Sequence, residues 1–229
     1  IYGRDYKTFL QRVHPTIPVP YVLLSNYYDN TVVPFPAAEA ALADPTLLAW
    51  FAVNVNWLHP KLHPMPLGLR FWEPALDVYR REPVGKTAWL YVNFKLHTRE
   101  RQQLWTEVVN HPDARVVAHN KHDIAGYFRG LAESRFALAP AGLGPDTYRR
   151  LEALAVRTIP IVRRSFLDRV YVGLPILVVD DWREVTGDLL RSVWAIWENH
   201  PAFADSRLTN GYWHDRIRSA GQDAVQVAA

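Results

Sequence analysis

The chain has 229 residues, 49% of them apolar and 13% aromatic, enough for a sizeable core in one large or two compact domains and too many for a disordered chain. Cysteine is absent, which excludes disulfides, thiolate nucleophiles and zinc–thiolate sites. The formal charge of +3 is carried mainly by arginine, which suits an anionic ligand or equally reflects genomic composition, and there is no basic stripe or binding module of the kind nucleic-acid proteins carry.

In chain order, the first third is rich in proline and loops. Its apolar runs predict three strands, Tyr21–Ser25, Trp50–Asn54 and His63–Leu67, with one short helix over Ala37–Ala43. A boundary falls near Glu82–Lys86, dividing the chain into 1–84 and 85–229. Beyond it the pattern is regular: strand Ala88–Phe94, helix Thr98–Asn110, strand Arg115–Ala118, helix Asp123–Leu131, strand Ser134–Ala139 and helix Asp146–Val156 follow one another. Strands Thr158–Val162 and Pro175–Val179 and a long helix over Trp182–Asn199, N-capped by Asp181, complete the series. Crossovers of this length imply a parallel sheet with helices on both faces, so the fold class expected is α/β. No run of about 18 apolar residues is present, so no membrane segment is expected in this chain.

Ligands of open parallel sheets bind beyond the carboxyl ends of the strands, which singles out two strand-to-helix turns. One runs Asn93-Phe94-Lys95-Leu96-His97-Thr98-Arg99 and leads into a helix N-terminus, where free N–H groups and the dipole favour an anion. Arg101, a cation near that N-terminus, opposes the dipole and so hints at an anion before it; Thr98 reads equally as an N-cap. The other turn runs Pro140-Ala141-Gly142-Leu143-Gly144-Pro145-Asp146-Thr147. Gly142 and Gly144 suit close backbone approach to a ligand or ordinary turn chemistry. It is neither a Walker loop, since no Gly-Lys-Ser/Thr follows, nor a dinucleotide fingerprint. Arg149 and Glu152 share one face of the next helix, where the plain reading is an intrahelical ion pair.

Residues 134–183 carry more than either glycine loop. The run Ser-Arg-Phe-Ala-Leu-Ala-Pro-Ala-Gly-Leu-Gly-Pro-Asp-Thr-Tyr-Arg-Arg-Leu-Glu-Ala-Leu, then Thr-Ile-Pro-Ile-Val, then Leu-Pro-Ile-Leu-Val-Val-Asp-Asp-Trp, resembles the donor-binding half of exostosin-like glycosyltransferases. Weaker matches lie at Leu24–Asp29, Trp50–Asn54 and His59–Leu69. One departure is Tyr148, where relatives would carry His before Arg149.

The resemblance implies a GT-B architecture: two Rossmann-like domains with parallel sheets facing a cleft, an acceptor-side domain over 1–84, short for the fold, and a donor-binding domain over 85–229. It implies a nucleoside-diphosphate sugar as donor, a UDP-sugar foremost, a glycan or other hydroxyl acceptor, inversion, and no cofactor or catalytic metal. On this reading Glu152 accepts from the ribose hydroxyls and Arg149 stabilises the leaving diphosphate. Gly142, Gly144, Asp146, Asn93, Thr98 and Arg101 surround the donor, with Asp146 capping the helix and orienting Arg149. The general base is expected from the first domain. Asp29 is the candidate, against the alternative of an Asx-turn residue, with His59 and His63 as other choices.

Trp50, Trp57 or Trp72 would be able to stack on a sugar. Asp180 and Asp181 read as structural, and His59 and His63 do not make a zinc site. The alternative function is a non-catalytic nucleotide- or carbohydrate-binding relative. The chain opens on Ile1, so a leader or anchor upstream is invisible. The expected compartment is the cytosol, or a secretory-pathway membrane if an anchor precedes this sequence.

Overall fold

The computed structural model describes residues 5–26, 31–69, 79, 84–120 and 122–227, without the side chains of 223–227. It is an α/β protein with two parallel sheets. Its compact units are discontinuous in sequence: 1–67, 144–146 and 209–229 form one, and 68–143 with 147–208 form the other. A single cut at 84/85 therefore does not describe how the chain packs.

In the first unit a short helical stretch over 6–16 leads to β1 (Tyr21–Ser25), α1 (Pro36–Ala43), β2 (Leu47–Ala52) and β3 (Leu62–Pro64). The strands lie in the order β1-β2-β3, all parallel. Five of the six residues of β2 are buried, as expected for the central strand, and Trp50, Leu47 and Ala52 meet Tyr6, Leu10, Ala38, Ala41 and Leu42 in one core. Trp50 has no exposed surface, and its indole N–H donates to Ser25 Oγ at 2.8 Å. It is thus a core residue rather than a sugar platform. The chain's last helix, Asn210–Val227, packs on β1 and β2 of this same unit.

The second unit holds β4 (Ala88–Val92), α2 (Arg99–Val108), β5 (Ala114–Val116), α3 (Ile124–Ala132), β6 (Ser134–Leu138), α4 (Arg149–Ala155), β7 (Ile159–Arg163), β8 (Leu177–Val179) and α5 (Gly187–Trp197). The five strands run parallel in the order β5-β4-β6-β7-β8. Alternation along each strand divides the core between the two faces. Leu90, Val92, Phe136, Leu138, Ile159 and Ile161 join Leu104 of α2 and Leu190 and Trp194 of α5 on one side. Tyr91 and Ala137 join Phe128, Leu131 and Ala132 of α3 on the other.

The second face is tight at Gly130. A Cβ there would overlap the ring of Tyr91, itself 1% exposed. Gly130→Ala should therefore destabilise by about 1–3 kcal/mol despite alanine's better helix propensity, because overpacking outweighs about 1 kcal/mol of backbone gain. Urea unfolding followed by near-ultraviolet circular dichroism checks this; a neutral or stabilised variant would count against it.

Two expectations about elements change. The helix expected over 146–156 begins only at Arg149. The helix expected over 182–199 is two elements: Asp181 caps a 3-10 turn, Trp182–Glu184, with Glu184 completing a capping box. Thr186 then caps α5 afresh. The second cap ends the first turn before it can propagate.

Candidate functional site

In the five-stranded sheet the chain leaves β4 toward β5 on one side and reaches β6 on the other. The crevice at the carboxyl ends of β4 and β6 is thus the topological switch point, where such sheets bind ligands. The loops after these two strands carry the site.

Asn93 directly follows β4 and is 5% exposed. Its Oδ1 accepts from His119 Nδ1 at 3.3 Å, so the two loops beyond β4 and β5 are joined here. Thr98 caps α2: its side chain accepts from the Arg101 amide at 3.3 Å. Arg101 turns its guanidinium to backbone carbonyls of two loops. It is 7% exposed, and its guanidinium donates to Ala141 O (2.8 Å), Pro140 O (3.1 Å) and Lys95 O (3.3 Å). Burial, then the neighbouring Arg149, pulls its pKa down to about 10. Arg101 therefore ties the loop after β6 to the loop after β4.

Arg149 opens α4. Its guanidinium lies 5.5 Å from the centroid of the Tyr127 ring, and among the described residues it forms no ion pair, with Glu152 or any other carboxylate. The intrahelical Arg149–Glu152 pair is thus not what the helix holds. Glu152 is 3% exposed and accepts from the Tyr127 hydroxyl at 2.7 Å. Tyr127, which sequence reasoning passed over, is the residue between them: its ring carries the cation and its hydroxyl serves the carboxylate. Burial first of all, opposed by Arg149 and assisted by Glu152, holds its phenol well above the ordinary range, so it stays a donor. Nothing in the sequence flags it beyond an aromatic within an amphipathic helix.

The charges that act on His119 are positive. His119 is held below the usual histidine range by burial, then by Arg149, Arg101, Lys95 and His97. Five basic side chains thus converge at the ends of β4, β5 and β6. Such a cluster attracts a multivalent anion.

Asp146 belongs to the first unit with Gly144. Its Oδ2 accepts from the Leu67 amide at 2.8 Å, and its own amide donates to Asn54 Oδ1 at 2.9 Å. Asn54 takes the left-handed conformation, φ 54°. Asp146 is not the cap of α4, because the N-cap position is Tyr148, with no side-chain cap. Gly142 stays with the second unit, and neither Gly142 nor Gly144 has positive φ. Asp29 and Trp72 lie outside the described residues.

His59 and His63 serve local structure. His59 Nδ1 accepts from the Lys61 amide at 3.1 Å, and His63 stacks on Phe51 with centroids 4.8 Å apart. Among the described residues no group of three His, Cys, Asp or Glu is arranged to hold a metal, and no helix is long and apolar enough to cross a membrane. Asp180 pairs with Arg164 at 2.6 Å, and Asp181 with Arg183 at 2.6 Å, both at the surface. Comparison of the chain with protein families and with curated proteins returns no match.

Proposed function

We propose that the second unit binds a nucleoside-diphosphate sugar at the β4/β6 switch point and that the protein transfers the sugar to a hydroxyl acceptor, as the likeness of 134–183 to exostosin-like glycosyltransferases implies. The observation that carries the reading is Arg149: a cation without an ion-pair partner among the described residues, amid Lys95, His97, Arg101 and His119, at the end of a parallel sheet. In the transfer, the acceptor oxygen bonds to the anomeric carbon as that carbon's bond to the diphosphate oxygen breaks. The negative charge growing on the leaving diphosphate falls to Arg149, which Tyr127 holds in place. The buried Glu152 is the group to accept from ribose hydroxyls, and Asp29 is the base assigned to the acceptor proton. The donor assigned is a UDP-sugar, the acceptor a glycan or related hydroxyl compound. The GT-B arrangement of the whole belongs to the same proposal.

Calorimetric titration of the folded chain with UDP, GDP, ADP and CDP tests this. Saturable binding of one of them, weakening as salt rises, is the expected result. Absence of saturation for all four, with the circular dichroism of a folded α/β protein, would overturn the donor site.

A further inference from the structure

The opposite end of the five-stranded sheet holds a second chemical feature, remote from the switch point. Two residues before β4, half-buried Lys86 lines a cavity of about 180 Å³ together with Tyr79, Val84, Val156, Arg157, Trp194 and Glu198, among others. That is far above the roughly 10–15 Å³ one water needs. The Lys86 Nζ donates to Val156 O at 3.0 Å and to Thr158 Oγ1 at 2.9 Å. The Thr158 hydroxyl is fully buried, and its one proton is committed to Leu131 O (2.6 Å) or Ser134 O (3.0 Å). Towards Lys86 it can therefore only accept. A neutral amine has the two N–H bonds that these acceptors take and keeps its lone pair for chemistry.

We propose that Lys86 is an acylation site, taking small acyl groups from acyl phosphates without a further enzyme. The wall of the cavity is built for it. Two residues beyond α4, Arg157 takes the left-handed conformation, φ 58°, with the Thr158 amide donating back to Ala153 O at 2.9 Å and the Arg157 amide to Leu154 O at 3.0 Å. That turn fixes Val156 O and Thr158 beside the amine. Arg157, Glu198 and Tyr79 share the cavity wall with Lys86, and Arg135 acts on the lysine through its charge. Burial, then Arg157 and Arg135, brings the lysine's pKa down to about 7, so a large share of it is neutral near neutral pH.

The step balances within these parts. The Nζ lone pair forms a bond to the acyl carbon, and the acyl carbon–oxygen bond breaks with its electrons to the departing phosphate. The surplus amine proton passes to that phosphate or to solvent. Arg157 and Arg135 favour both the anionic donor and the transient oxyanion. The product amide is uncharged, which relieves the repulsion between Lys86 and the two arginines, and it keeps one N–H for Val156 O or Thr158 Oγ1.

The test is acetylation of the folded chain by acetyl phosphate, with each of the five lysines followed by peptide mass spectrometry from pH 6 to 9. At pH 7.5 an ordinary lysine is about 0.1% neutral. Lys86 is expected to react at least about tenfold faster than the exposed Lys7 and Lys95, with a rate that levels off near pH 8 while theirs still climbs. In 6 M urea the advantage should disappear. Equal rates in the folded chain, a Lys86 rate rising unchecked to pH 9, or an advantage that survives urea would each overturn the proposal.

Discussion

Replacing Arg101 by methionine lowers the stability of the second unit by about 3–5 kcal/mol. The guanidinium is 7% exposed and reaches three backbone carbonyls from two loops. A hydrogen bond from a charged donor contributes about 1.5–3 kcal/mol, and a buried carbonyl stripped of its partner costs about 1–3 kcal/mol. Against that, the variant escapes the desolvation of a buried cation. That cost is visible in the direction of the pKa, lowered chiefly by burial and then by Arg149. Three bonds against one burial leave a large net loss.

Lysine at the same position places a single point charge where a planar fork reaches three acceptors, so Arg101→Lys should fall between wild type and Arg101→Met. Urea unfolding of the three proteins decides the matter. A loss below about 1 kcal/mol for methionine would mean that the loops are held by something other than this side chain.

Arg101 also shows where sequence reading stops. Its place near the start of α2 was legible, and so were Thr98 as cap and the strands on either side, because local rules determine them: a β-rich apolar run, a threonine before a charged turn. That the same arginine faces Pro140 and Ala141 depends on β6 lying beside β4, with Ala88 paired to Ser134 and Leu90 to Phe136. The series of strands and helices from Ala88 to Val179 is readable almost throughout, since its three central strands, β4, β6 and β7, are short, mainly apolar and largely buried runs. The final helix is not legible in the sequence. Its sequence opens Asn-Gly, a turn signal, and continues with mainly polar residues, so no apolar stripe announces it. Its packing on β1 and β2 is tertiary information. In the sequence Asp146 reads as local to its own helix, but its partners are Leu67 and Asn54, far back in the chain. Tyr127 was missed because a tyrosine in an amphipathic helix looks like any other core aromatic, and only the fold brings Glu152 to its hydroxyl.

Arg149→Gln should weaken nucleoside-diphosphate binding by about 10–100-fold, roughly 1.4–2.7 kcal/mol, while leaving the unfolding transition almost unmoved. The asymmetry follows from its contacts: in the free protein Arg149 lies over Tyr127 and forms no ion pair among the described residues. The side chain thus contributes little to the fold and most when a diphosphate arrives.

The same cluster sets a pH dependence. His119 has its pKa lowered, first by burial and then by Arg149, Arg101, Lys95 and His97. The folded free protein therefore binds a proton less readily there than the unfolded chain does. Its stability contribution is present above pH 6.5 and is lost as pH falls through that value toward the folded pKa. A bound diphosphate supplies the missing negative charge, so ligand binding must take up a proton and tighten over the same acidic range.

The ligand's own phosphate titrates nearby, and the ratio of wild-type to His119→Gln affinity cancels that part. This ratio should rise as pH falls from 7.5 to 5.5, and glutamine keeps an amide able to donate to Asn93. A flat ratio together with an intact Arg149 effect would leave the donor site in place but remove His119 from it. A flat ratio with no Arg149 effect would take the anion away from the switch point altogether.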